Sequence, residues 1–156
     1  MGNSEEPSES REQPVLKMER NFKAAPEVVF NTFTEPEAMR VWWTDNTEFD
    51  IDLRIGGQWT IKLEDSGTEY VMTGEYLKIE KPNLLQFTIG MPQFSPNRDI
   101  ITIHIEPDGN SGSKMTFIQS GEDIANELRQ LPKGTVSESE KGWQEGFDLM
   151  VAAWDS

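Results

Sequence analysis

The one histidine of the chain, His104, is the side chain whose proton would move most readily near neutral pH, so a search for catalysis starts there. It sits where Ile101, Ile103 and Ile105 alternate with Thr102, His104 and Glu106. On a strand that phase points it away from the apolar face, whereas a Ser-His-Asp arrangement needs it inside a cleft. With no cysteine and no second histidine, the usual zinc and copper ligand sets are missing, as are disulfides and thiolate nucleophiles. Glu48, Asp50 and Asp52 could be paired carboxylates or calcium ligands. Alternating with Phe49, Ile51 and Leu53, they read instead as the solvated face of a strand, without the glycine-centred loop of an EF-hand calcium site. Gly56-Gly57 leads into neither a phosphate loop nor a dinucleotide fingerprint. No catalytic residue, metal site or cofactor is expected.

What remains is apolar and aromatic. Five tryptophans and eight phenylalanines in 156 residues give a single domain the means to build a sizeable core, and flat aromatic walls suit planar or acyl ligands. A formal charge of −14 argues against nucleic acid and anionic lipid surfaces as partners. No run is long and apolar enough to cross a membrane, the N-terminus lacks a signal peptide, and the absence of cysteine fits a reducing cytoplasm, so a cytoplasmic monomer is expected.

These side chains must be positioned by elements that the pattern predicts. Met1 to Pro14, with Glu5, Glu6, Glu9 and Glu12 among serines and prolines, reads as a disordered acidic tail, and 15–156 as one domain. Val15 to Lys23 alternates as a strand. Pro26 then opens a short helix through Phe33, and the Thr34–Glu37 capping signature opens a second one that carries Met39, Trp42 and Trp43. From Glu48 the period is two. Phe49, Ile51, Leu53 and Ile55 form one strand, Gly56-Gly57 a hairpin, and Trp59, Ile61 and Leu63 the return. Tyr70–Glu80, with Gly74 as a bulge or close approach, Leu84–Ile89, Ile101–Ile105 and Lys114–Ser120 follow, the long loop 90–97 intervening. A weak helical signal covers Ile124–Leu131. From Ser137 to Asp155, Trp143, Phe147, Met150 and Trp154 fall on one helical stripe behind a Ser137–Glu140 capping box. A strand, two small helices, six strands and a long helix imply a twisted antiparallel sheet that curls around the helix, with the space between filled by side chains or left as a pocket.

Several of these stretches resemble one family. Ala25-Pro26 with Val29-Phe30, Pro36 with Trp42-Trp43, the run Asp52 to Trp59, Gly74-Glu75-Tyr76 and Gly142-Trp143 resemble the family named after the activator of heat-shock protein 90 ATPase. That family belongs to the lipid-transfer and pollen-allergen-like (START-like, SRPBCC) superfamily. The resemblance covers Leu16 to Trp154 and implies an α+β helix-grip fold, β-α-α-β6-α, with a cavity between the last helix and the curved sheet. One departure is Ile55, where the family commonly has proline. By strand and helix phase, Phe30, Trp43, Trp59, Met72, Phe87, Ile103, Phe117, Trp143, Phe147 and Met150 are the candidates to line that cavity. The function expected is a non-enzymatic, stress-related carrier or sensor of a small lipophilic molecule. A co-chaperone module that binds a chaperone comes second, since no counterpart of the co-chaperones' separate N-terminal domain precedes the resemblance. Third is a cyclase or hydrolase with a polar group such as Tyr70, Tyr76, Gln119 or Glu75 in the pocket.

Overall fold

Apart from the end of the Phe49–Ile55 run, the alternating stretches become strands in the computed structural model, which describes residues 13–43 and 46–155. The order is β1 (Leu16–Phe22), α1 (Pro26–Thr32), α2 (Pro36–Met39), β2 (Thr47–Ile51), β3 (Gln58–Asp65), β4 (Thr68–Glu80), β5 (Leu84–Ile89), β6 (Asp99–Pro107), β7 (Ser113–Ser120), α3 (Glu122–Arg129) and α4 (Glu138–Asp155). The acidic tail lies outside the described residues, except for Gln13 and Pro14. Among the described residues, no helix is long and apolar enough to cross a membrane.

All seven strands form one antiparallel sheet in the order β1-β7-β6-β5-β4-β3-β2. Hairpins join neighbours from β2 to β7, and α1 and α2 carry the chain from one edge strand to the other. The inward phase is clean on β6 and β7: Asp99, Ile101, Ile103 and Ile105 are buried, as are Ser113, Met115, Phe117 and Gln119, while His104 is exposed. Ile103 pairs across the strands with Phe117. The curved sheet wraps α4, whose Phe147 and Met150 are fully buried. The capping reading of α4 holds in part, since the Glu140 N–H donates to Ser137 Oγ at 3.0 Å. Arg20 on β1 ties Asp148 on the outer side of the helix, and Phe22 meets Trp154 edge-on at 5.2 Å.

Two local expectations change, and one is narrowed. The second helix ends at Met39 rather than reaching Trp43, and Thr34 donates back to Phe30 O at 3.1 Å instead of capping it. Gly74 is a close approach and not a bulge. A Cβ there would lie 1.7 Å from Thr88 O and 2.6 Å from Trp59 Nε1, and the register shift falls between Tyr76 and Lys78. β2 stops at Ile51, so Leu53 and Ile55 leave the sheet at 41% and 67% exposure.

The β2–β3 link is instead closed by a turn in which Gly57 N–H bonds Arg54 O at 2.8 Å and Gly56 has φ +83°. That is the type II pattern, with glycine where φ must be positive and Ile55 at the position that favours proline. Ile55→Pro is expected to raise stability by ~0.4–1 kcal/mol, by restricting the unfolded chain, and thermal unfolding of the variant beside the parent checks it.

Candidate functional site

The aromatic residues of the α2 region, the inner faces of β2–β5 and β7 and the first turns of α4 converge on one place. A cavity of about 40 Å³ is lined by Phe33, Met39, Trp42, Trp43, Ile51, Trp59, Ile61, Met72, Tyr76, Phe87, Ile89, Phe117 and Trp143. It has room for a few ligand atoms at most. Trp42, Trp43, Met72, Ile89 and Trp143 are also walls of a groove of about 640 Å³, a size that suits a small molecule. The groove continues past Met91 and Phe94 of the 90–98 loop to Gly142, Glu145, Gly146 and Leu149 of α4. Phe94 is 67% exposed and leans on Tyr70, with ring centroids 6.2 Å apart.

The two glycines of α4 shape the floor of the groove. A Cβ on Gly146 would fall 2.6 Å from Trp42 Cε3, so its missing side chain is the notch into which Trp42 packs, while a Cβ on Gly142 would meet nothing. Trp42 is held from the other side as well, its indole donating to Thr32 O at 2.9 Å. Its ring lies 5.1 Å from Trp43 and 6.3 Å from Trp143.

A polar chain closes one end of the site. Trp143 Nε1 donates to Gln119 Oε1 at 2.9 Å, and Gln119 Nε2 donates to Asp99 Oδ2 at 3.0 Å. The Asp99 carboxylate also accepts the Ile124 N–H at 3.0 Å and the Asp123 N–H at 3.3 Å, capping α3, whose own N-cap is Gly121. Burial raises the Asp99 pKa above the ordinary aspartate value, opposed by the bonds from Gln119, Ile124 and Asp123, while the charge of Asp123 adds to the rise. The Tyr76 hydroxyl is held above the ordinary tyrosine range by burial and then by the charge of Asp52, so it stays protonated. Trp43 Nε1 and Trp59 Nε1 are buried without a hydrogen-bond partner.

The model for the Activator of Hsp90 ATPase homolog 1-like proteins matches residues 23–154. The chain belongs to this family. No curated protein matches the sequence. Among solved structures, a protein of Chromobacterium violaceum superposes with a TM-score of 0.74 at 22% identity over 91% of this chain and 97% of the other. A protein of Arthrobacter aurescens gives 0.75 at 20% identity over 92% and 87%. An HSP90 activator from Plasmodium falciparum gives 0.62 at 16% identity over 89% and 91%. At these identities the likeness is one of fold: the helix-grip architecture and its order of elements are shared.

Within this family fold, six of the ten candidate residues line the inner cavity: Trp43, Trp59, Met72, Phe87, Phe117 and Trp143. Phe30, Ile103, Phe147 and Met150 are at most 1% exposed and line neither space. The reason is the lie of α4, whose C-terminal half packs solidly on the sheet while its first turns stand off. Of the polar candidates, Tyr76 faces the inner cavity and Gln119 the groove, but Tyr70 and Glu75 line neither. Asp99, Trp42, Ile51 and Ile61 were not among the candidates. Asp99 shares the phase of Ile101 and Ile103, and Ile61 that of Trp59, so alternation carried a signal for both.

Because an indole N–H only donates, the amide of Gln119 has one usable orientation. Gln119→Leu strands both neighbours and is expected to cost ~1–3 kcal/mol in urea unfolding. Gln119→Glu sets a second carboxylate against Asp99. Sharing one proton raises the folded-state pKa of the pair, so its stability is fullest below the unfolded carboxylate value and is lost as pH rises through the folded one. The deficit of this variant against the parent should therefore be larger at pH about 7.5 than at about 4.5.

Proposed function

We propose that the protein is a cytoplasmic, monomeric, non-enzymatic carrier or sensor that binds a small hydrophobic or aromatic molecule between α4 and the sheet. The observation that carries this is an aromatic-lined cavity at the N-terminal end of α4 that shares tryptophan walls with a ligand-sized groove. Around the two spaces, the titratable side chains among the described residues are Tyr76 and five carboxylates, and the hydroxyl–carboxylate contact there, Ser139 Oγ on Glu127 at 2.8 Å, belongs with the Ser139 N–H on the same carboxylate to the cap on the first turn of α4. A ligand held against Trp42, Trp43 and Trp143 would alter their fluorescence.

A second reading, a co-chaperone-type interaction module, is favoured by the family description and by the Plasmodium relative named as an HSP90 activator. Stimulation of a heat-shock protein 90 ATPase by the purified protein would favour it over the carrier reading.

Gly142 supplies the direct test of the carrier. It lines the groove and a Cβ there meets nothing within 4 Å, so Gly142→Phe starts from an unobstructed Cβ and puts its ring in the groove. Replacing a helical glycine is also expected to stabilise α4 by a few tenths of a kcal/mol. Ligand-observed NMR and native mass spectrometry against fatty acids, flavonoids and polyketide-like aromatics should find a binder for the parent that Gly142→Phe loses, while the variant unfolds at or above the parental temperature. A parent that binds none of these classes would sink the proposal.

A further inference from the structure

Charge around the groove is one-sided. Asp99, Asp123, Glu127, Glu138 and Glu145 all line it, and no lysine, arginine or histidine does among the described residues. Three of the five are engaged internally. Asp99 caps α3, Asp123 accepts the Asn97 amide at 3.0 Å, and Glu127 accepts the Ser139 hydroxyl and N–H at 2.8 and 2.9 Å. Glu138 and Glu145 are exposed at the rim, the former 3.3 Å from Lys141 Nζ. A carboxylate or phosphate entering here would lose hydration with no cation to receive it. Trp42, Trp43 and Trp143 line the same groove, and the indole face is the strongest aromatic partner for a cation. The formal charge of −14 also draws cations in and turns anions away during approach. Deeper in, the character changes. The cavity wall is apolar but for Tyr76 and carries no carboxylate to receive an ammonium group.

We infer that the ligand is a lipophilic cation, an alkyl or aryl amine or quaternary ammonium, with its apolar body against Trp42, Trp43 and Trp143 and its charge beside Glu138 and Glu145. This rests on the carrier reading and narrows it, because fatty acids and other anionic amphiphiles are then the wrong class. Naphthylethylamine, naphthylethanol and naphthylacetate share one apolar body and differ in charge. Titrated into the intact protein by calorimetry at low salt, the amine should bind tightest and exceed the carboxylate on the order of tenfold or more, by a margin that shrinks as salt is added. Glu138→Gln with Glu145→Gln should narrow the amine-to-alcohol ratio, and Gly142→Phe should abolish binding of both. A carboxylate that binds as well as the amine overturns the inference and leaves the carrier reading standing. Amine binding that survives Gly142→Phe also overturns it, since the cation would then be adhering to acidic surface in general. No binding by any of the three removes the inference and counts against the carrier reading too.

Discussion

An indole N–H can donate a hydrogen bond and cannot accept one, and the arrangement of this molecule around its site depends on that asymmetry. Trp143 on α4 turns the oxygen of Gln119 toward itself, so the amide nitrogen must face Asp99, and Asp99 must offer an acceptor. The same carboxylate meets the first N–H groups of α3, where the helix dipole also favours negative charge. Four elements, α4, β7, β6 and α3, are thereby held in one relative orientation by a chain that works in only one direction. A buried aspartate would otherwise be costly, and here three donors offset its loss of water.

The position of this chain decides where α4 stands off the sheet. Toward the C-terminus of the helix the contact is dry and solid, with Phe147 and Met150 excluded from solvent, Arg20 tied to Asp148 and its guanidinium 5.9 Å from the Phe147 ring centroid. Toward the N-terminus, the helix meets polar partners. Ser137 and Glu127 hold its first N–H groups, Trp143 reaches Gln119, and Trp42 wedges into the notch at Gly146. The cavity lies on this side, walled by Trp42, Trp43 and Trp143 and the rings they pack on.

Much of this was legible before any coordinates. The two-residue period of β1 and β3–β7 and the 3.6-residue stripe of α4 are direct consequences of burying one face, and they set the order of elements and the exposure of His104. The run Phe49–Ile55 misled because alternation does not show where pairing stops: a type II turn at Arg54–Gly57 takes Leu53 and Ile55 out of the sheet without breaking the pattern. The candidate site was legible by strand and not by depth. Phase separates inside from outside, so it placed Trp59, Phe87 and Phe117 inward, but it cannot say which inward residues border a void. Phe30, Ile103, Phe147 and Met150 share that phase and sit in solid core. Asp99 shows the converse. Its inward phase was visible, and attention to apolar side chains alone passed over a polar one.

The interior around Trp43 and Trp59 is less stable than the same fold could make it. Each unpartnered buried N–H costs on the order of 1–3 kcal/mol, appreciable beside a typical domain stability of about 5–15 kcal/mol. Phenylalanine at either position would keep most of the apolar area and remove the donor. Gly142, in mid-helix with open space over its Cα, is a second choice that packing alone would not make, because alanine there would favour the helix and touch nothing. The two departures fall on neighbouring spaces, Trp43 and Trp59 on the cavity and Gly142 on the groove that shares Trp43 with it. Local rules broken without local compensation are what functional or strained sites show, and here the breaks lie on two spaces with a common tryptophan wall.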